Sequence, residues 1–232
     1  MITLYTWPRP NGYKSTIFME ELGLPYKIKL VNLDAGEQFQ PEFLAVSPNN
    51  KIPAIIDDDA PDGPVTLAES GLIMMYLADK AGNRLLPRSG QARLNVLQWV
   101  FWQVSALGPW PGLYNYFSIR SPEKFPFVIG RFEAEAARLL RLMDTSLSRH
   151  EYLAGDDYTI ADIAAYVAAK RAVVTFRHNG SKALGETPSL DRWFDTLTAR
   201  PAVQRGLVIP EPIDWMTGNA LPKPDLQAGA QI

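Results

Sequence analysis

Strand signals stop near residue 90 of this chain. Up to that point short β-like runs alternate with helix-like ones: "ITLYT", then "KSTIFMEELG", then "YKIKLVNL", in which Lys27 and Lys29 alternate with Ile28 and Leu30. Alternation with period two marks a strand and apolar residues three and four apart mark a helix, so the opening is a βαβ pattern. A short helical piece follows at "PEFLAV". The run "IPAIIDDDAPDGPVTLAES" then reads as two strands joined by a turn rich in Asp, Pro and Gly, closed by a helix from Ser70 to Lys80. The order is β-α-β, α, β-β-α.

From Gly90 onward helical spacing takes over. "ARLNVLQWVFWQV", "RFEAEAARLLRLMDTSL", "TIADIAAYVAAKRAVVTF" and "SLDRWFDTLTA" are the clearest helices, with Pro and Gly punctuating between them. The fold class is α+β: residues 1–84 form one domain, 85–90 a linker, 91–208 an all-α domain, and 209–232 a tail. In the linker region Leu85 and Leu86 are expected to tuck back against a domain. One short helical turn is expected after Pro201, and Pro210, Pro212, Pro222 and Pro224 keep the tail from being a continuous helix. In "YTIADIAAY", Thr159 and Asp162 have the spacing at which a hydroxyl and an acidic side chain cap a helix start, a structural role.

Composition narrows the chemistry. The 232 residues are 47% apolar and 21% charged, an ordinary globular balance. A formal net charge of −2 without a Lys or Arg run offers no footprint for nucleic acid or an acidic membrane. No stretch approaches the roughly 18 apolar residues of a bilayer span, and the strand-like start "MITLYT" is not a cleavable leader, so a cytosolic location is expected. The absence of cysteine removes disulfides, thiolate metal sites and a protein-borne thiol. His150 and His178 are the only histidines and sit in polar surroundings, so no metal site is expected. Sulfur chemistry here needs a sulfur brought by a ligand.

Three loop pieces are unusual for mere connections. In "NNKIPA", Ile52-Pro53 is either a plain strand entry or, if the bond is cis, a backbone edge turned outward to pair with an extended peptide. In "AESG", Glu69 and Ser70 precede a helix. They are either a simple cap, or an ammonium partner and a carboxylate-binding helix end that together suit the γ-glutamyl end of a tripeptide. In "PNGYKS", Asn-Gly marks a turn, but the amide of Asn11 can also donate to an anion at the first helix start.

In that order and ahead of an all-helical half, these pieces resemble the cytosolic glutathione transferases, a thioredoxin-like domain followed by a helical one. The stretches "PNGYKSTIFMEELGLPY", "GEQFQPEFLAVSPNNKIPAIID", "AESGLIMMYLADK" and "LQWVFWQVSALGP" look most like the Nu-class and yeast-prion-like branch, over roughly residues 1 to 208. The resemblance implies a homodimer and glutathione as cosubstrate, with disulfide reduction that yields oxidised glutathione. Conjugation of the thiol to electrophiles is the close alternative, and a non-catalytic glutathione-binding or interaction protein is the alternative of another class. It implies that Asn11 activates the thiol, that Ile52 and Pro53 present backbone to the cysteinyl residue, and that Glu69 and Ser70 hold the γ-glutamyl end. Gln38 and Lys51 would face the glycyl carboxylate, and Arg131 is either a ligand-reaching arginine or an exposed helix charge.

Lowering a thiol pKa from about 8.5 to about 6.5 needs roughly 2.7 kcal/mol, within reach of one hydrogen bond to a charged group plus a helix N-terminus. One departure stands out. Arg9 occupies the place where oxidoreductases of this branch commonly carry Thr, so a hydroxyl donor is replaced by a cation that either favours thiolate or points to solvent. Tyr5 inside a strand and Ser15 inside a helix do not occupy the usual place of an activating hydroxyl. Trp99 and Trp102 read as core, whereas Trp110, Tyr114, Tyr116 and Phe117 are candidates for an acceptor pocket between the domains.

Overall fold

A computed structural model describes residues 1–215; the expectation about Pro222 and Pro224 falls outside the described residues. Strands β1 (Ile2–Thr6), β2 (Tyr26–Leu30), β3 (Ala54–Asp57) and β4 (Val65–Ala68) form one sheet in the order β2-β1-β3-β4. β1 and β2 are parallel, with Leu4 opposite Ile28, while β3 runs antiparallel to both β1 and β4. Parallel neighbours need a crossover, which helix α1 (Pro10–Leu22) supplies, whereas the turn of Asp, Pro and Gly residues suffices for β3 and β4. A 3₁₀ turn (Glu37–Phe39) and α2 (Pro41–Leu44) lead into β3, and α3 (Ser70–Lys80) closes the domain. Lys27 and Lys29 are exposed on the edge strand β2, where their charge opposes pairing with another chain.

The helical half comprises α4 (Gly90–Trp102), which passes into a π-helical turn (Gln103–Leu107), and α5 (Pro109–Asn115), which passes into a second one (Tyr116–Arg120). Helices α6 (Pro126–Leu147), α7 (Ile160–His178), α8 (Pro188–Thr198) and α9 (Pro201–Gly206) follow. Helix α5 is not among the helices expected from sequence, where "GPWPG" reads as a break. Pro109 and Pro111 fall in its first turn, where a missing N–H removes no intrahelical bond.

Leu86 is buried, and Ile160 donates its N–H to the Leu85 carbonyl at 2.9 Å, so the connection between the halves packs down. The capping pair behaves as expected. The Thr159 hydroxyl accepts from the Ala161 N–H at 3.3 Å, and the Asp162 carboxylate accepts from the Thr159 N–H at 3.0 Å. Asp162 also takes the Leu153 N–H at 3.0 Å and the indole of Trp193 at 2.9 Å. Complete burial raises its carboxyl pKa even though these donors pull the other way.

One apolar core runs through both halves, and α1 lies inside it. Every residue from Gly12 to Met19 is buried. A Cβ at Gly12 would stand 2.0 Å from the Trp7 carbonyl oxygen, so the helix approaches the end of β1 only because that residue is glycine. On the other flank a Cβ at Gly206 would stand 2.4 Å from the Ile17 Cα, and Thr16 Oγ1 donates to the Gly206 carbonyl at 2.7 Å. Arg200, just ahead of α9, grips Glu21 of α1 through Nε at 2.7 Å and Nη2 at 3.0 Å. Helix α1 is thereby clamped between the sheet and the end of the helical half.

Candidate active site

A cleft of about 530 Å³ separates the two halves. On one side it is bordered by the start of α1, the segment before β3 and the start of α3. On the other stand the π-helical turn after α4, the first turn of α5, and α7. Of the residues expected to form the site, Arg9, Asn11, Gln38, Lys51, Ile52, Pro53, Glu69 and Ser70 all line this cleft. They come from four separate segments.

Asn11 is exposed at the second position of α1, beside Pro10, which has no N–H. The first turn of a helix leaves its amides without intrahelical partners, so the Asn11 side chain and the helix end present donors to the same space. Arg9 caps the helix from extended backbone, and its guanidinium is committed: Nη2 donates to Asp34 at 2.6 Å and Nη1 to the Pro8 carbonyl at 3.1 Å. It therefore neither points freely to solvent nor carries an uncompensated charge.

The Ile52-Pro53 bond is cis. Ser47 ties the loop from below, accepting from the Lys51 N–H at 3.3 Å and donating to the Lys51 carbonyl at 2.8 Å. The buried side-chain oxygen of Gln38 has no partner among the described residues. Glu69 has φ of 71°, a left-handed conformation that costs a non-glycine residue about 1–3 kcal/mol. Its carbonyl still accepts the Ile73 N–H at 2.9 Å, so the first turn of α3 holds it there and leaves its carboxylate exposed at the rim.

Two cations in the cleft escape a reading of sequence. Lys14 is 3% exposed, and its ammonium donates to Ser70 Oγ at 2.8 Å and Gln103 Oε1 at 3.0 Å. Burial lowers its pKa to about 8, opposed by the nearby charge of Glu69. A lysine in "GYKSTIF" reads as solvated, and only the small neighbours Gly12, Ser15 and Thr16 hint that this part of α1 is enclosed. Arg171 on α7 bonds the Asn115 side-chain oxygen, and Asn115 in turn donates to Thr175 Oγ1 at 2.8 Å. Burial first, then repulsion from Arg120, bring its pKa down to about 10.

The remaining expected residues stand apart from the cleft. Tyr114 is buried within the helical half, its hydroxyl donating to Glu133 at 3.0 Å and accepting from Asn179 at 3.0 Å. Trp110 packs on Phe132, and Phe117 bridges Phe132 and Tyr116. The helical face of α5 explains this: it turns Pro109, Pro111 and Gly112 toward the cleft and the aromatics toward α6. Arg131 is exposed and lies over the Trp110 ring at 5.5 Å. Tyr5 and Ser15 are buried in β1 and α1, with Ser15 Oγ bonded to the Asn11 carbonyl at 3.0 Å. Among the described residues no cluster of three acidic, His or Cys side chains suits a metal ion.

A thioredoxin-like α/β domain joined to an all-helical one, with a polar cleft at their seam, defines a glutathione transferase. The family models for the glutathione S-transferase N-terminal domain and C-terminal domain match residues 1–79 and 131–201. The chain belongs to the glutathione S-transferase family. It is 41% identical over 210 residues to the disulfide-bond oxidoreductase YfcG of Escherichia coli, covering 90% of this chain and 95% of that one. A glutathione transferase from Burkholderia graminis, solved with two glutathione molecules bound per subunit, superposes with a TM-score of 0.85 at 40% identity over 90% of this chain and 88% of that one. One from Pseudomonas putida, with one glutathione disulfide bound per subunit, gives 0.83 at 36% identity over 90% and 91%.

Proposed function

We propose that this protein is a glutathione-dependent disulfide-bond reductase. The observation that carries the reading is the donor-rich start of α1, with the Asn11 amide uncommitted among the described residues, facing a cleft that also holds Lys51, Glu69 and Ser70. Glutathione carries two carboxylates, one ammonium and one thiol. Lys51 and Gln38 meet the glycyl carboxylate, Glu69 the ammonium, Ser70 and the α3 amides the γ-glutamyl carboxylate, and Ile52 the cysteinyl backbone. That placement leaves the thiol at Asn11, where donors without a base stabilise the thiolate.

The thiolate sulfur attacks one sulfur of a disulfide, forming a glutathione mixed disulfide and expelling the other sulfur as thiolate. A second glutathione thiolate attacks the glutathione sulfur of that mixed disulfide, giving oxidised glutathione and releasing the second thiol. The relatives solved with two glutathiones or with their disulfide are in keeping with a cleft that accommodates both reactants and product. The apolar helical wall favours, as a second reading, conjugation to hydrophobic electrophiles.

Homodimerisation is supported by Leu72 on α3 and Leu94 and Phe101 on α4, large apolar side chains left exposed on the surface. Arg131, exposed and outside its own cleft, would meet glutathione only from a partner subunit. No helix among the described residues is long and apolar enough to cross a membrane. Turnover of the mixed disulfide of glutathione and mercaptoethanol, compared with that of a chloronitrobenzene, tests the reading. Faster disulfide reduction supports it, and silence in both assays defeats it.

A further inference from the structure

The buried ammonium of Lys14 makes no close ion pair among the described residues, and the charge of Glu69 nearby offsets its burial only in part. Its hydrogen-bond partners are neutral, Ser70 Oγ at 2.8 Å and Gln103 Oε1 at 3.0 Å. A buried charge is ordinarily paired or discharged, because transfer out of water is costly. The chain holds this one where α1, the start of α3 and the helical half meet, and where it borders the cleft.

An ammonium can only donate. By donating to Ser70 Oγ it occupies a lone pair of that oxygen, so the hydroxyl proton must point elsewhere. Among the described residues Ser70 Oγ has no protein acceptor for that proton, and the residue borders the cleft at the first position of α3. The ammonium therefore polarises the hydroxyl and turns it into a one-way donor aimed at a ligand anion, as a charged partner strengthens a hydrogen bond relayed through a shared group.

We propose that Lys14 is a positioning residue that acts through Ser70, fixing its hydroxyl as a donor to the α-carboxylate of a γ-glutamyl ligand and supplying that carboxylate's buried counter-charge. The assignment rests on glutathione being the ligand of this cleft. The depressed ammonium pKa near 8 reflects a burial that the charge of Glu69 only partly offsets, and an anion seated on Ser70 would relieve it further. Gln103 has a different part: it anchors the ammonium from the helical half, so the relay is assembled only when both halves are docked.

Binding of two ligands to the full-length protein, measured by calorimetry, tests this. One is glutathione and the other γ-aminobutyryl-cysteinyl-glycine, which keeps the amine and lacks the α-carboxylate. Lys14→Met should weaken glutathione binding about tenfold, the size of one charge-assisted hydrogen bond, and leave the analogue within about twofold. Ser70→Ala should do the same, and the double variant should be no worse than the poorer single one within about twofold. In turnover the Lys14 variant should raise KM for glutathione with kcat nearly unchanged. Lys14→Gln, which retains a donor, should recover part of the affinity and serves in its place if the Met variant does not fold. Equal weakening of both ligands, or losses that multiply in the double variant, would reduce Lys14 to a prop between the halves and overturn the inference. Wild-type protein that binds neither ligand overturns the glutathione reading itself.

Discussion

The first-domain wall of the cleft carries Asn11, Gln38, Lys51, Glu69 and Ser70, whereas the facing helical wall is Val104, Leu107, Gly108, Pro109, Pro111, Gly112, Ala168 and Ala172, with Arg171 its one charged side chain among the described residues. The first wall offers directional groups at fixed places on helix starts and a loop braced by Ser47. Such a surface selects one ligand by the geometry of its charges. The second offers small apolar contacts, whose energy depends on area and little on identity. A missing methylene in such a wall changes discrimination by only about 1–3 kcal/mol. On the proposed function, the contrast would give specificity for the thiol donor to one domain and tolerance of the acceptor to the other.

Variants on opposite walls should therefore fail differently. The largest effect is expected at Asn11. Asn11→Ala should lower kcat for disulfide reduction about 10- to 100-fold, by loss of one hydrogen bond to thiolate, with glutathione affinity changed less than about threefold. Equal losses in both quantities would make Asn11 a binding group and erase its distinction from its neighbours on that wall.

Next comes the dependence of stability on pH at Lys14. Its folded pKa, about 8, lies below the value near 10.5 of the unfolded chain. Between those values the unfolded state retains a proton that the folded state has shed, so this group's contribution to stability rises with pH across that window and its full penalty stands below pH 8. Wild type should gain about 2–3 kcal/mol relative to Lys14→Met from pH 7.5 to pH 10, by denaturant titration. A flat difference would mean that the ammonium is better solvated than its 3% exposure implies.

On the helical wall, Ala168→Phe should raise KM for a bulky disulfide about tenfold while leaving glutathione binding untouched, since the added ring takes acceptor space alone. The smallest effect is expected at Arg171. Arg171→Met should reduce kcat/KM about fivefold for a carboxylate-bearing disulfide and little for neutral hydroxyethyl disulfide. Equal reduction for both would show that the residue serves packing through Asn115 and not charge.

The same contrast governs what sequence could disclose. Residues of the polar wall sit in short contiguous pieces whose chemistry is local: a helix start at Ser70, a proline at Pro53, an Asn beside Gly12. The four strands and the long helices were legible too, because their periods differ. The helical wall was not. Its lining depends on which face of α5 turns inward, and two prolines in the first turn disguised α5 as a break. Aromatics signalled a pocket at Trp110 and Tyr114, yet large rings were needed to fill the space against Phe132 and Phe176, and small residues were left to face the cleft. Lys14 was hidden for a related reason. Its burial is a property of three elements that meet only in the fold.

Gly206 and Arg200 hold the far end of the chain against the flank of α1, so residues almost two hundred positions apart share responsibility for where the first helix begins. A lesion at the carboxyl-terminal side, such as Gly206→Val, would be felt as a misaimed Asn11 and would resemble a chemical defect in kinetics. The amino-terminal domain, expressed by itself, should thus carry Asn11, Gln38, Lys51, Glu69 and Ser70 and still handle the tripeptide poorly.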